Sequence, residues 1–232
     1  MSHPGKLPRA PILCYVTDRK GLAGAAKEQN TALLERITAA AEAGMDWIQI
    51  REKDLCGKEL SSLTREAVAQ TKQIHERNGT QTRIIVNHRL DVAYAECAGG
   101  VHLGENSLPV QDVRKWIEEK PDRTPREKIS IGASCHSLKA AMAAARDGAD
   151  YIFFGPVFAT PSKAVFGTPQ GLQQLSEVCN AVAVPVLAIG GITLDNASDC
   201  FAAGAAGIAA IRLFQDAENL VSIVNGLRAS FL

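Results

Sequence analysis

In the stretch QIREK, Gln49, Arg51 and Lys53 stand at every second position. On an extended chain they share one face, while Ile50 and Glu52 take the other. Three polar side chains in one such row are costly to bury without a ligand, and a guanidinium beside an ammonium complements a phosphate or diphosphate. The competing reading is a filled interior holding a buried Arg–Glu pair. A second anion feature is AIGGI, where Gly190 and Gly191 follow an apolar run and let backbone N–H groups approach a phosphate closely, unless they merely turn a corner. Arg212, at the end of GIAAIR, is a guanidinium that could clamp phosphate oxygens. Lys163 lies in FATPSKAVFG, whose small residues, proline and Gly167 suit a lid that closes over the same anion.

Proton chemistry has one candidate at this mouth. His136 follows Ser134 by two residues, and an imidazole facing an anion site can move protons near neutral pH; its other role would be to cap a helix. His102, inside the apolar VHLG, is expected to face inward as a packed, hydrogen-bonded residue. Acids are scarce here. The runs RIIVN and GGVHLG lead into His88 and Ser107, where a phosphate-handling site would be expected to carry metal-binding carboxylates.

These residues need strands that end together. Eight short apolar runs rich in β-branched residues occur at 12–18, 46–52, 83–87, 100–104, 129–134, 150–155, 185–191 and 207–212. Alanine- and leucine-rich helical patterns separate them. Three helices end in Gly44, Gly148 or Gly204, each a short step before the next strand; a glycine in the left-handed conformation ends a helix at little cost. Short crossovers between nearly continuous apolar strands imply a parallel sheet covered by helices. Eight such strands should close into a single (β/α)8 TIM barrel spanning residues 1–232, with 1–10 as a tail and the charged segment 121–128 as a mobile loop. The rival, an open doubly wound sheet, would carry a glycine-rich turn after its first strand. Here that place is held by Asp18-Arg19-Lys20. In a barrel, the C-terminal strand ends form the active face, and they carry the residues named above.

The whole-chain properties bound the partners. Twenty-five basic and 25 acidic residues cancel, so nothing electrostatic calls for nucleic acid or a membrane surface. No apolar run is long enough for a signal peptide or a membrane helix. Six scattered cysteines without a C-x-x-C pair read as reduced core thiols. The expected setting is the cytoplasm, and the expected partners are small-molecule phosphates, with self-assembly left open.

Taken in order, YVTD (15–18), QIREK (49–53), Asn87-His88-Arg89, VHLG (101–104), IGASCHS (131–137), DYIFFGPVFATPSK (150–163), AIGGI (188–192) and GIAAI (207–211) resemble the thiamin phosphate synthases and their sister family, the thiazole tautomerases. The resemblance covers nearly the entire chain. For a synthase it implies that Gln49, Arg51, Lys53, Asn87 and Lys163 hold a pyrimidine diphosphate and that Ser134 binds the pyrimidine. Thr160, Ser162, Gly190, Gly191, Ile211 and Arg212 would hold a thiazole phosphate, although a serine is usual where this chain has Arg212. Mg2+ would stabilise the leaving pyrophosphate. The synthase pattern, however, has Asn-Asp-Arg and Gly-Gln-Glu-Asp where this chain has Asn87-His88-Arg89 and Gly104-Glu105-Asn106-Ser107. Both Mg2+ aspartates are replaced, and neither Asp91 nor Glu105 occupies an equivalent position.

Tautomerases lack those acids. They shift a proton on a thiazole carboxylate phosphate, which by this resemblance would assign the acid/base role to His136. The first expectation is therefore a tautomerase with no cofactor. The alternatives are a synthase, using Mg2+ if its metal site has been rebuilt, and a silent barrel that binds thiazole or thiamin phosphate without turnover.

Overall fold

The computed structural model describes residues 10–119, 129–160 and 168–231; residues 1–9 of the anticipated tail and the whole 121–128 loop lie outside these. Eight strands, β1 (Ile12–Val16), β2 (Trp47–Ile50), β3 (Arg83–Asn87), β4 (Gly100–Leu103), β5 (Ser130–Cys135), β6 (Tyr151–Phe154), β7 (Val186–Ile189) and β8 (Gly207–Ala210), pair in chain order. Every pairing is parallel, and β8 closes onto β1. Around them run the helices α1 (Ala26–Glu42), α2 (Gly57–Asn78), α3 (Leu90–Ala95), α4 (Val110–Glu118), α5 (Leu138–Arg146), α6 (Gly171–Ala181), α7 (Ala197–Ala202), α8 (Arg212–Gln215) and α9 (Leu220–Ala229). The barrel is as expected. Several strands end earlier than the apolar runs: β2 stops at Ile50 and β8 at Ala210.

The anticipated joint recurs. Gly44, Gly148 and Gly204 have φ of +87°, +99° and +98°. After each, the next N–H reaches back five residues: Met45 to Ala40 (3.0 Å), Ala149 to Ala144 (2.9 Å) and Ala205 to Cys200 (3.0 Å), the bond that closes a Schellman turn. A fourth copy follows α3, where Ala98 N–H reaches Ala93 (2.9 Å) and Cys97 takes φ +57°. Nothing in the sequence marked it, since a cysteine stands in the place of the glycine.

Period-two alternation divides each strand between two cores. Leu13, Ile48, Val86, Val101, Ile152 and Ile208 point outward into the layer under the helices. Cys14, Ile85, Tyr151, Phe153, Leu187 and Ala209 fill the barrel. His102 joins the inner set as expected. It is 1% exposed, lies 4.3 Å from the Phe153 ring, and is hydrogen-bonded through Nδ1 to Tyr151 Oη (3.2 Å) and through Nε2 to Ser134 Oγ (2.9 Å). A neutral ring serves both partners, donating through one nitrogen and accepting through the other. Burial, with the neighbouring His88 and Arg51, pushes its pKa from 6.5 down to about 3. Gly132 leaves the room that the Tyr151 ring occupies, for a Cβ there would lie 2.1 Å from the ring.

Two outcomes follow for stability. Gly132→Ala must displace Tyr151, and urea unfolding should show a loss of about 3 kcal/mol, the upper range for overpacking. As pH falls below 6.5, the unfolded chain takes up a proton that folded His102 refuses until about pH 3. This residue should therefore remove about 1.4 kcal/mol of stability per pH unit across that window. In His102→Gln, urea midpoints measured against pH should fall more gently.

Candidate active site

The row Gln49, Arg51, Lys53 is not one strand face. Gln49 sits inside the barrel at 2% exposure, and its Nε2 donates to Asn87 Oδ1 (2.9 Å). Its buried Oε1 has no partner among the described residues, leaving an unmet acceptor inside the barrel. Arg51 and Lys53 lie beyond β2, in the segment rising to α2. Glu52 turns the opposite way and is buried. It accepts from Thr17 Oγ1 (2.5 Å) and from the Arg19 N–H (3.1 Å to Oε2), and Arg51 N–H in turn donates to Thr17 Oγ1 (3.0 Å). A buried Arg–Glu pair does exist, but its arginine is Arg19, with Nε 3.7 Å from Glu52 Oε2. Desolvation raises the Glu52 pKa. The strand-end residue Asp18 has its backbone clasped by the Gln215 amide, which accepts from Asp18 N–H (3.1 Å) and donates to Asp18 O (2.9 Å). Thr17, Arg19 and Gln215 carried no sequence signal beyond their place after a strand.

Arg51, Lys53 and His88 converge. The Arg51 guanidinium, with desolvation, lowers the pKa of Lys53, and desolvation together with Lys53 and Arg51 lowers that of His88. Among the described residues neither Arg51 nor Lys53 enters a salt bridge. Lys53, Asn87 and His88 border a recess of about 220 Å³ that is also lined by Ile50, Glu52, Leu55, Leu60 and Arg89. His88 itself has φ +63°, in the left-handed region where histidine is enriched but most side chains are strained. Its Nδ1 is 2.5 Å from Ser107 Oγ, which also accepts the Gly104 N–H (2.9 Å).

The magnesium implied by the resemblance does not fit these donors. A hard cation prefers carboxylate oxygens, yet the two positions hold an imidazole and a hydroxyl bonded to each other. Asp91 is held bidentately by Arg89 (2.8 and 2.6 Å). Asp54 is taken by Arg19 (2.6 Å) and Lys20 (3.3 Å). Among the described residues no group of three or more His, Cys, Asp or Glu is placed to hold a metal.

Across the mouth, His136 is not the helix cap. Ser137 caps α5, accepting from Ala140 N–H (3.2 Å). His136 Nδ1 bonds to the Gly155 carbonyl, which can only accept, so Nδ1 carries a proton. That leaves Nε2 as the exchanging nitrogen, 4.0 Å from Glu105 Oε1. Gly155–Pro156 is a cis peptide.

The glycine pair supports a neighbouring loop. Gly190 and Gly191 have φ of +96° and +67°, and a Cβ on them would meet Pro156 at 2.5 Å and the Ala159 carbonyl at 2.6 Å. They let the segment after β6 lie flat against the end of β7, with Phe158 N–H donating to Gly190 O (3.0 Å). Among the described residues the N–H groups of both glycines have no hydrogen-bond partner, so close packing and anion approach are compatible. Thr160 is half-buried at the end of that segment; Ser162 and Lys163 lie outside the described residues. Ile211 follows β8, and Arg212 is the exposed first residue of the four-residue α8 rather than the last residue of a strand.

The six cysteines are unpaired thiols, but Cys56 and Cys97 are exposed, so not all are core residues as expected. Among the described residues no helix is long and apolar enough to cross a membrane.

Comparison with known proteins identifies the family. A thiamine-phosphate synthase of Chlorobium luteolum is 37% identical over 229 residues, covering 96% of this chain and 97% of its own. One of Methanoculleus marisnigri is 42% identical over 195 residues, covering 84% and 85%. Among solved structures, thiamine phosphate pyrophosphorylase from Pyrococcus furiosus superposes with a TM-score of 0.76 at 30% identity, covering 95% of both chains. The family model described as thiamine monophosphate synthase matches residues 14–214, and with relatives of this identity and coverage the chain belongs to that family.

Proposed function

We propose that this chain couples a hydroxymethylpyrimidine diphosphate to a thiazole phosphate, releasing pyrophosphate. The observation carrying the reading is the pair Arg51 and Lys53, two cations without carboxylate partners among the described residues, beside the unmet buried oxygen of Gln49. Proton transfer on a thiazole needs no such diphosphate seat. The named relatives favour the same choice over the tautomerase expected from the sequence.

In the coupling, the thiazole nitrogen's lone pair forms a bond to the pyrimidine methylene, and the methylene C–O bond breaks, its electron pair leaving with pyrophosphate. Negative charge grows on the departing oxygen. Fixed cations directed at that oxygen stabilise the transition state with little reorganisation. Arg51 and Lys53, already raising each other's electrostatic energy, gain most when the charge arrives. Asn87 orients Gln49, and Ser134, tied to buried His102, offers its remaining hydrogen-bonding capacity to the pyrimidine. Gly190 and Gly191, with Thr160, Ile211 and Arg212, form the thiazole phosphate rim; Ser162 and Lys163 are assigned to the same mouth by resemblance. The unpaired thiols are in keeping with a cytoplasmic setting.

A second reading rests on His136, whose Nδ1 is committed to Gly155 O and whose Nε2 is open toward Glu105: the same cup would hold a thiazole phosphate while this imidazole moves its proton. Purified protein given both precursors should form thiamin phosphate. Arg51→Ala and Lys53→Ala should each lower kcat/KM about 100-fold, as loss of one transition-state contact does, and His136→Ala should retain coupling within about tenfold. Conversion of a thiazole tautomer without coupling, abolished in His136→Ala, would establish the second reading; tight binding of either ligand without turnover would identify a silent binder.

A further inference from the structure

We infer that His88 and Ser107 form a metal-free seat for the departing diphosphate, with His88 Nε2 donating the hydrogen bond that a carboxylate-held cation would otherwise replace. The inference rests on the coupling reading above.

The hydrogen-bond roles belong to the inference: Ser107 Oγ accepts from Gly104 N–H and gives its single proton to His88 Nδ1 (2.5 Å). A neutral imidazole that accepts at Nδ1 carries its proton on Nε2. Nε2–H is therefore a donor, and among the described residues it has no partner. The ring lies over Gly104, where a Cβ would come within 2.7 Å of His88 Cε1 and 3.1 Å of Nε2. It is held from behind by the left-handed backbone, whose N–H bonds to His102 O (2.8 Å). A left-handed non-glycine residue at the end of a barrel strand points to a site rather than to packing.

The surroundings require an anion. Burial, with Lys53 and Arg51 nearby, depresses the protonation of His88; Glu52 is taken by Thr17 and Arg19, Asp54 by Arg19 and Lys20, and Asp91 by Arg89, while Glu105 faces His136 Nε2 at 4.0 Å. Formal charge also balances. Two aspartates and a divalent cation sum to zero, and so do a neutral histidine and a serine. Replacing one set by the other leaves the diphosphate facing the same two cations, Arg51 and Lys53. During the displacement the electron pair of the C–O bond passes to the diphosphate oxygen, and Nε2 keeps its proton while the hydrogen bond strengthens.

The test is calorimetric titration of inorganic pyrophosphate into the full chain, in EDTA and then in excess Mg2+, with thiamin phosphate formation followed under both conditions. Wild type should bind pyrophosphate in EDTA with a Kd within about threefold of its value in Mg2+, and its coupling rate should not change. His88→Ala and Ser107→Ala should each weaken binding about tenfold in EDTA, with thermal melts confirming that both remain folded. The double variant His88→Asp/Ser107→Asp should bind weakly in EDTA and recover with Mg2+. Pyrophosphate affinity and coupling in wild type that both collapse in EDTA and return with Mg2+ would overturn the seat, as would unchanged affinity in both alanine variants. Metal-independent pyrophosphate binding without product under either condition would leave the seat standing and sink the coupling reading.

Discussion

A buried carboxylate governs the mouth of this barrel. Glu52 leaves water at the end of β2, a transfer that is costly unless the charge is hydrogen-bonded, and Thr17 and Arg19 at the end of β1 supply the donors. Glu52 thereby anchors the segment that carries Arg51 and Lys53. Thr17 serves both sides of the arrangement, giving its hydroxyl proton to Glu52 and accepting the Arg51 N–H.

The barrel then separates tasks by depth. Low in the interior, aromatic rings and a neutral His102 fill space and satisfy one another. Higher up, Gln49, Asn87 and Ser134 present partly used hydrogen-bonding groups. At the rim Arg51 and Lys53 have no carboxylate partner among the described residues. Polarity rises toward the opening, and with it the electrostatic cost of leaving the opening without an anion.

Much of this was legible along the chain because it is local. Period-two and helical patterns gave eight alternating units, and three glycines marked three of four identical joints. The fourth was invisible because Cys97 adopts a glycine's conformation. The grouping of Gln49, Arg51 and Lys53 was visible, but not its cause, since Glu52 finds Thr17 at a separation of 35 residues and no sequence period records that meeting. Likewise Gly190 and Gly191 could be read as an anion cradle, but not as the floor on which Pro156 and Ala159 rest. Arg212 was read as a strand end because GIAAIR continues in apolar residues past the point where β8 loses its partner.

The left-handed backbone at His88 bears on how such a chain could arise. Aspartate and histidine are both among the few residues that tolerate that conformation, and their codons differ at a single base. Exchange between an acid and an imidazole at this position therefore needs no rebuilding of the main chain, and Gly104 already leaves space for the larger ring. Metal-dependent and metal-free versions of this mouth are evolutionary neighbours, reachable from one another without passing through an unfolded ancestor.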